Sequence, residues 1–347
     1  MSAVVFKPDE IGDFVMATGA IRLLARFHGE EETTLLVKTE VASLARREFP
    51  RAKVIALPWQ AKRKGYNRTL VNLRGCFPVW LRLRGVRCDQ CVCLRTRRSF
   101  IQSALFGAPR AGQRIASENV LAKTGGMRRR LLEASMALLA RPHLTPYPSG
   151  DPELPDELAS HRSVVSMALG REVTADEIMP LLPSAAWRGG GGLLLCPFSS
   201  RTAKDYCVSR WSAALQKASL QGDLPPLLLA GAPDQRTRLQ DFAATLRVFG
   251  LSCRVADSVS LEKFPELVAR ADAVLTVDTA AAHFACACRA PAVIVACGLH
   301  HGTYGPYSAD GRQVWLSGDW AGRGRDGWQE TVPVSAVASA IRRVMRL

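Results

Sequence analysis

Acidic residues are almost missing from one long stretch of this chain. Between Lys62 and Arg130 there are 17 Lys and Arg, set against only Asp89 and Glu118. That local excess equals the +15 of the whole 347-residue chain, so the remainder is neutral overall. A field so concentrated attracts anions, whether nucleic acid, a phosphorylated glycolipid or an acidic membrane surface. No motif of stacking aromatics accompanies the basic residues, which removes nucleic acid from the expected partners. No apolar run reaches the roughly 18 residues of a membrane span, and the longest, such as Ala290–Leu299, reads as a buried strand. The basic start and unbroken apolar core of a signal peptide are also lacking, so a soluble, cytoplasmic protein is expected. There is no G-x-G-x-x-G, which argues against a dinucleotide fingerprint. Nor is there a repeat or a low-complexity tract.

Cysteine, by contrast, is plentiful, with ten residues. Cys76, Cys88, Cys91 and Cys93 supply enough thiols for a zinc site, but paired ligands normally flank turn-forming residues. Gln90–Leu94 (Q-C-V-C-L) alternates like a strand and puts Cys91 and Cys93 on one face. Buried packing in a reducing compartment is the better reading, and no metal is expected.

Strand and helix patterns alternate along the first half. Strands are expected at Val4–Phe6, Thr33–Lys38, Lys53–Leu57 and Cys91–Leu94, and helices at Phe14–Phe27, Val41–Glu48 and from Phe100. Leu70–Leu83 reads as helix interrupted by Pro78. Two tracts, Pro142–Pro155 and Thr174–Pro183, read as separators. The alternation then restarts after Gly189–Gly192 with strands at Leu193–Cys196, Pro226–Ala230, Ala273–Val277 and Val293–Ala296, and closes on an amphipathic helix, Val334–Met345. Two doubly wound α/β units with parallel sheets follow, their strand C-termini expected around a shared cleft.

Three segments carry candidate chemistry. The first strand runs into Pro8–Asp13, where Gly12 permits close approach or positive φ and Asp13 lies near a helix N-terminus. On local evidence alone a helix cap is the better reading of Asp13, because aspartate caps are so common. Cys196–Lys204 follows a strand and offers the hydroxyls of Ser199 and Ser200 with a lysine four residues on, the groups that bind a diphosphate. Asp278-Thr279-Ala280-Ala281-Ala282-His283 closes a buried strand and opens a helix with small residues, so that first-turn amides can meet phosphate oxygens. Asp278 can cap that helix or hold a ribose or base edge, and His283 can touch phosphate or bond internally.

In this order and at this separation, the segments resemble glycosyltransferase family 9, the bacterial lipopolysaccharide heptosyltransferases. Gly12-Asp13 through Gly19-Ala20-Ile21-Arg22 looks like the family's opening turn and helix. Ser199, Ser200 and Lys204 are similar to its phosphate loop, and Asp278–His283 to its D-T-G-x-x-H donor loop, with Ala280 in place of glycine. The resemblance implies a GT-B fold, two Rossmann-like doubly wound domains facing across a cleft. It implies an acceptor domain over 1–172, onto which a C-terminal helix at about 333–347 packs back, and a donor domain over 173–332. It implies an inverting, metal-independent glycosyltransferase, needing no cofactor beyond its nucleotide-sugar co-substrate. That enzyme moves a heptose, from an ADP-linked donor, to a lipopolysaccharide core or related anionic lipid-linked saccharide.

On that model Asp13 is the general base and Lys204 stabilises the leaving diphosphate. Donor contacts fall to Ser199, Ser200, Lys204, Asp234, Val259, Asp278, Thr279, Ala280, Ala281 and His283. Acceptor contacts fall to Lys7, Gly12, Arg63, Arg97 and Arg98. The basic stretch then serves the acceptor or the inner face of the plasma membrane, with the protein a monomer peripheral to it. The alternatives are a GT-B transferase with another nucleotide sugar or acceptor, or a non-catalytic protein that binds anionic ligands.

Overall fold

The apolar run Ala3–Lys7 (β1) is the pivot of a six-stranded sheet in the first of two units. The computed structural model describes residues 1–59, 67–118, 142–148, 150–256, 259–307 and 311–346. β1 pairs in parallel with β2 (Thr33–Lys38) on one side and β4 (Arg87–Cys93) on the other. With β3 (Lys53–Leu57), β5 (Arg110–Ser117) and β6 (His143–Thr145), the order is β3-β2-β1-β4-β5-β6. Helices α1 (Ile11–Met16), α2 (Thr18–His28), α3 (Ala42–Glu48), α4 (Asn67–Arg84), α5 (Phe100–Gly107), α6 (Asp156–Leu169) and α7 (Ala175–Ile178) complete the unit.

The second unit repeats the arrangement. Its strands are β7 (Leu193–Cys196), β8 (Leu227–Leu229), β9 (Cys253–Val255), β10 (Ala273–Val277), β11 (Ala292–Ala296) and β12 (Gln313–Ser317), in the order β12-β11-β10-β7-β8-β9. Helices α8 (Val208–Ser219), α9 (Arg236–Val248), α10 (Phe264–Arg270), α11 (Ala280–Cys288), α12 (Trp320–Gly327) and α13 (Val334–Val344) surround it. Each sheet is parallel throughout, and its first and fourth strands are neighbours whose connections leave in opposite directions. That is the topological switch point of a doubly wound sheet, where ligands are bound at the strand C-termini. The expected pair of Rossmann-like units is therefore present.

Several expectations need correction. The chain divides at Pro180/Leu181, not at 172/173. Thr174–Pro183 is only half a separator: Thr174 and Glu177 form a capping box that starts α7, and α7 packs on α2. Gly19 explains how closely, since a Cβ there would lie 2.3 Å from the Met179 carbonyl oxygen. The Pro142–Pro155 tract contains edge strand β6, three residues long and too short to show an alternation.

α13 belongs to the core of the second unit: Val337, Ile341 and Val344 are buried with Trp211, Leu215 and Val295. Its strongly apolar face is satisfied by α8 and β11. α4 runs through Pro78 without ending. The carbonyl left without its partner there is that of Arg74, on the exposed side, where water can satisfy it. The four cysteines of the basic half are buried and lie in one hydrophobic cluster with Phe6, Leu105 and Phe106. Burial pushes the thiols of Cys76 and Cys88 up to about 11. Among the described residues, no group of three or more His, Cys, Asp and Glu could hold a metal. No described helix is long and apolar enough to cross a membrane.

Candidate active site

At the switch point of the first unit, β1 delivers Lys7 and the turn after it delivers Asp9, Glu10 and Asp13. The neighbouring strand β4 delivers Leu94, Arg95 and Thr96, and α6 adds Glu157 and His161. Lys7 is almost fully buried, 1% exposed. Its ammonium donates to the Leu94 carbonyl at 2.9 Å and to Glu157 Oε1 at 3.4 Å. It also lies 3.1 Å from Asp9 Oδ2 and 3.2 Å from His161 Nε2. Asp9 closes on Arg95 through its other oxygen, and the second oxygen of Glu157 accepts from the Thr96 hydroxyl at 2.9 Å.

Burial pushes the Glu157 carboxyl up, but Lys7 and the Thr96 hydrogen bond outweigh it and hold it below the usual range. His161 is pushed down to about 3 by burial and by the Lys7 charge, so it is neutral near pH 7. Its Nε2 lies 3.0 Å from the Leu94 carbonyl. The Lys7 ammonium at the same nitrogen can only donate and the Leu94 carbonyl can only accept, so the neutral ring satisfies one of them at a time.

Asp13 sits in the first turn of α1, and the N-cap is Glu10, so Asp13 is not the cap. It is part-exposed. Burial nonetheless raises its carboxyl to about 6; Lys7 opposes the rise, whereas Glu157 and Glu10 add to it. Glu10 is itself paired with Lys38 at 2.7 Å. A carboxyl at about 6 is ionised at neutral pH yet more basic than an ordinary aspartate, which suits it to accept a proton.

The other residues expected to meet an acceptor part company. Gly12 is helical with no positive φ, so its backbone conformation does not demand glycine. Lys7 is consumed by the buried cluster. Arg98 is also buried, its guanidinium donating to the carbonyls of Arg95 and Ser117 at 2.7 Å each. Arg97 alone of the adjacent pair is exposed. Arg63 lies outside the described residues, as do Lys62, Lys64 and Arg128–Arg130.

In the second unit the switch point joins the loop after β7 to the start of α11 after β10. Lys204 makes an ion pair with Asp278 Oδ2 at 2.8 Å and donates to the Asp278 carbonyl at 3.1 Å. The cap of α11 is Thr279, not Asp278, and Ala280 is the first helical residue. Its φ is not positive, so a side chain at the usual glycine position carries no backbone strain. The Ala282 amide turns back to the Thr279 carbonyl at 3.1 Å. The amides of Ala280 and Ala281, in the first helical turn, have no intrahelical acceptor. His283 is buried and bonded through Nδ1 to the Tyr307 hydroxyl. Burial pushes it down to about 4, with Lys204 helping and Asp278 opposing. Of the two roles open to it, the internal one is realised.

The hydroxyl of Ser199 is spent inside its own turn, donating to the Arg201 carbonyl and accepting from the Arg201 amide. Ser200 is exposed. Asp205 was not expected to matter, yet it holds the loop: one oxygen accepts from the Ser199 amide at 2.6 Å, and the other binds Arg238 at 2.7 Å. Gln235 faces inward beside exposed Asp234, and its side chain bridges the Ala232 amide and the Ser199 carbonyl. Trp328 donates to the Ala203 carbonyl at 3.0 Å. Nothing in the local sequence marks Trp328 or Gln235, because their partners are main-chain atoms far along the chain. Val259 is partly buried just after the strand β9 connection.

Comparison with known proteins agrees with this geometry. The family model of glycosyltransferase family 9 (heptosyltransferase) matches residues 129–326, more than half of the chain, including Ser199–Lys204 and Asp278–His283. Comparison with curated protein sequences yields no match. Among solved structures, E. coli heptosyltransferase WaaC with ADP-2-deoxy-2-fluoro heptose is similar at 16% identity and a TM-score of 0.67, covering 99% of both chains. E. coli ADP-heptose lps heptosyltransferase II is similar at 14% identity and 0.66, covering 100% of this chain and 99% of that one. A family 9 glycosyl transferase from Veillonella parvula is similar at 15% and 0.66, covering 99% and 97%. The two parallel six-stranded units are thus those of the GT-B fold, and the chain belongs to glycosyltransferase family 9 and is a transferase.

Proposed function

We propose that the chain transfers a heptose, with inversion, from an ADP-activated donor to an anionic lipid-linked saccharide of the lipopolysaccharide core. The observation that carries the donor half is the Lys204–Asp278 pair at the N-terminus of α11. A lysine, a hydroxyl at Thr279 and first-turn amides converge where a diphosphate gains negative charge as the glycosidic bond breaks. Ser200, exposed on the same loop, adds a donor. These groups supply hydrogen-bond donors, the helix dipole and an ammonium that a diphosphate can share with Asp278, which is the basis for proposing transfer without a metal or cofactor. ADP and heptose are favoured because WaaC was solved with ADP-2-deoxy-2-fluoro heptose.

On the acceptor side, Asp13 draws the proton from the attacking hydroxyl as the new bond to the anomeric carbon forms. Its carboxyl at about 6 serves that step at neutral pH. Exposed Arg97 is placed to meet an anionic acceptor group. Lys7 and Arg98 act from within the fold.

Thermal shift against ADP, UDP and GDP tests the donor. Binding at about 100 times Kd adds roughly 2.7 kcal/mol of stability. Stabilisation by ADP above the other two supports the reading; an equal response to all three, or to none, removes it.

A further inference from the structure

α4 carries apolar side chains on the side it turns to water. Asn72, Cys76 and Leu83 are its buried positions. Leu73, Phe77 and Leu81 recur at every fourth residue, a stripe that runs from the flank of the buried face to the outer side, and are 44%, 57% and 51% exposed. Phe77 stacks on Trp80, ring centroids 5.9 Å apart and planes 18° apart. The Arg84 guanidinium lies 4.9 Å over the Trp80 ring. A helix that only covers a core shows polar residues on its outer face; here the outer stripe is aliphatic and aromatic.

Charge narrows what this stripe meets. Asn67–Arg84 contains four arginines and no acid. Arg74, Arg82 and Arg84 are exposed. Just beyond the helix, exposed Arg87 sits beside exposed Arg110 across the β4–β5 ladder. Exposed Leu and Phe flanked by arginine, with no acid, are the composition of a helix that lies in a bilayer interface. A second copy of the same face would bring like charges together with no carboxylate between them, and such juxtaposition opposes association. A surface of anionic headgroups over acyl chains satisfies both halves at once.

We propose that the outer face of α4, with Leu73, Phe77 and Leu81 at its centre and Arg74, Arg82 and Arg84 around them, docks on an anionic lipid bilayer. The apolar side chains enter the acyl boundary while the arginines stay at headgroup level. This inference does not depend on which sugar or nucleotide the enzyme uses.

Vesicle co-sedimentation of the full chain tests it. Vesicles of phosphatidylcholine with about 30 mol% phosphatidylglycerol are expected to take down the protein, and pure phosphatidylcholine vesicles far less. Joint replacement Leu73→Ser, Phe77→Ser and Leu81→Ser is expected to lower partitioning at least about tenfold. Because these positions are exposed, thermal stability and nucleotide binding should stay near wild type. Arg74→Glu with Arg82→Glu and Arg84→Glu is expected to abolish the preference for anionic vesicles. Unchanged partitioning of the serine variant overturns the proposal, and so does equal binding to both vesicle types. Sedimentation velocity without lipid supplies a further decision. A wild-type dimer that the serine variant makes monomeric, with vesicle binding unaltered, assigns the face to self-association instead.

Discussion

The two units share one strand order, yet their switch points are furnished in opposite ways. In the first, side chains from β1, the loop after β4 and α6 form a buried cluster of charges, and the Asp13 carboxyl at its edge is raised by burial and opposed by Lys7. In the second, the loop geometry is held largely by main-chain atoms, with Asp205, Gln235 and Trp328 bonding to amides and carbonyls. A group that must take a proton needs a controlled charge environment. A group that must receive a diphosphate needs amides and a cation in fixed places. One architecture serves both because the crossover always delivers two loops to one spot.

The largest effect should come from Asp13→Asn, with kcat falling about 10²- to 10⁴-fold while ADP affinity measured by calorimetry holds. Substantial remaining turnover would break the assignment of the base to the first unit. Lys204→Met should lower kcat about 10²- to 10³-fold and weaken ADP binding, whereas Asp13→Asn leaves binding alone; that contrast sharpens the division of labour.

The pH profile of kcat probes the charge cluster. A base must be ionised to accept a proton, so with Asp13 in the proposed role activity should rise with pH through about 6. Lys7→Met removes the charge that opposes its raised pKa and should move this limb to higher pH. Glu157→Gln removes a neighbouring negative charge and should move it lower. Loosened packing would relieve the burial of Asp13 and move the limb the same way in both variants, so shifts of opposite sign report charge. If neither limb moves while Asp13→Asn is inactive, the base stands and its electrostatic support does not. Gly19→Ala sets a side chain against the carbonyls of Ile178 and Met179 and should cost about 1–3 kcal/mol, read as a lower Tm. The smallest effect expected is a severalfold rise in acceptor KM for Arg97→Glu, with donor affinity unchanged.

Much of this was legible beforehand where a residue's neighbours in sequence are also its neighbours in space. β1, β7 and β10 are short apolar runs, and the loops that follow them carry Asp13, Lys204 and Asp278, so the candidate residues could be located at strand ends. β5, β6, β9 and β12 were not seen, being short or polar on one face and sitting toward sheet edges. Arginine misled in a particular way: Arg97 and Arg98 are adjacent, but alternation past the strand end buries one and exposes the other. Glu157 and His161 could not be anticipated, because α6 joins the charge cluster from about 150 residues away. Ala280 takes the usual glycine position without backbone strain for a reason invisible in sequence, namely that the position is helical.

Trp328 reaches Ala203, Tyr206 donates to the Val332 carbonyl at 3.1 Å, and Asp205 fastens Ser199. The loop between β7 and α8 is therefore clamped along its length by bonds within the protein itself. A ligand meeting so rigid a receptor loses little to ordering it. Nucleotide association should consequently be a single fast phase whose rate follows concentration linearly, without the plateau that marks a slow rearrangement.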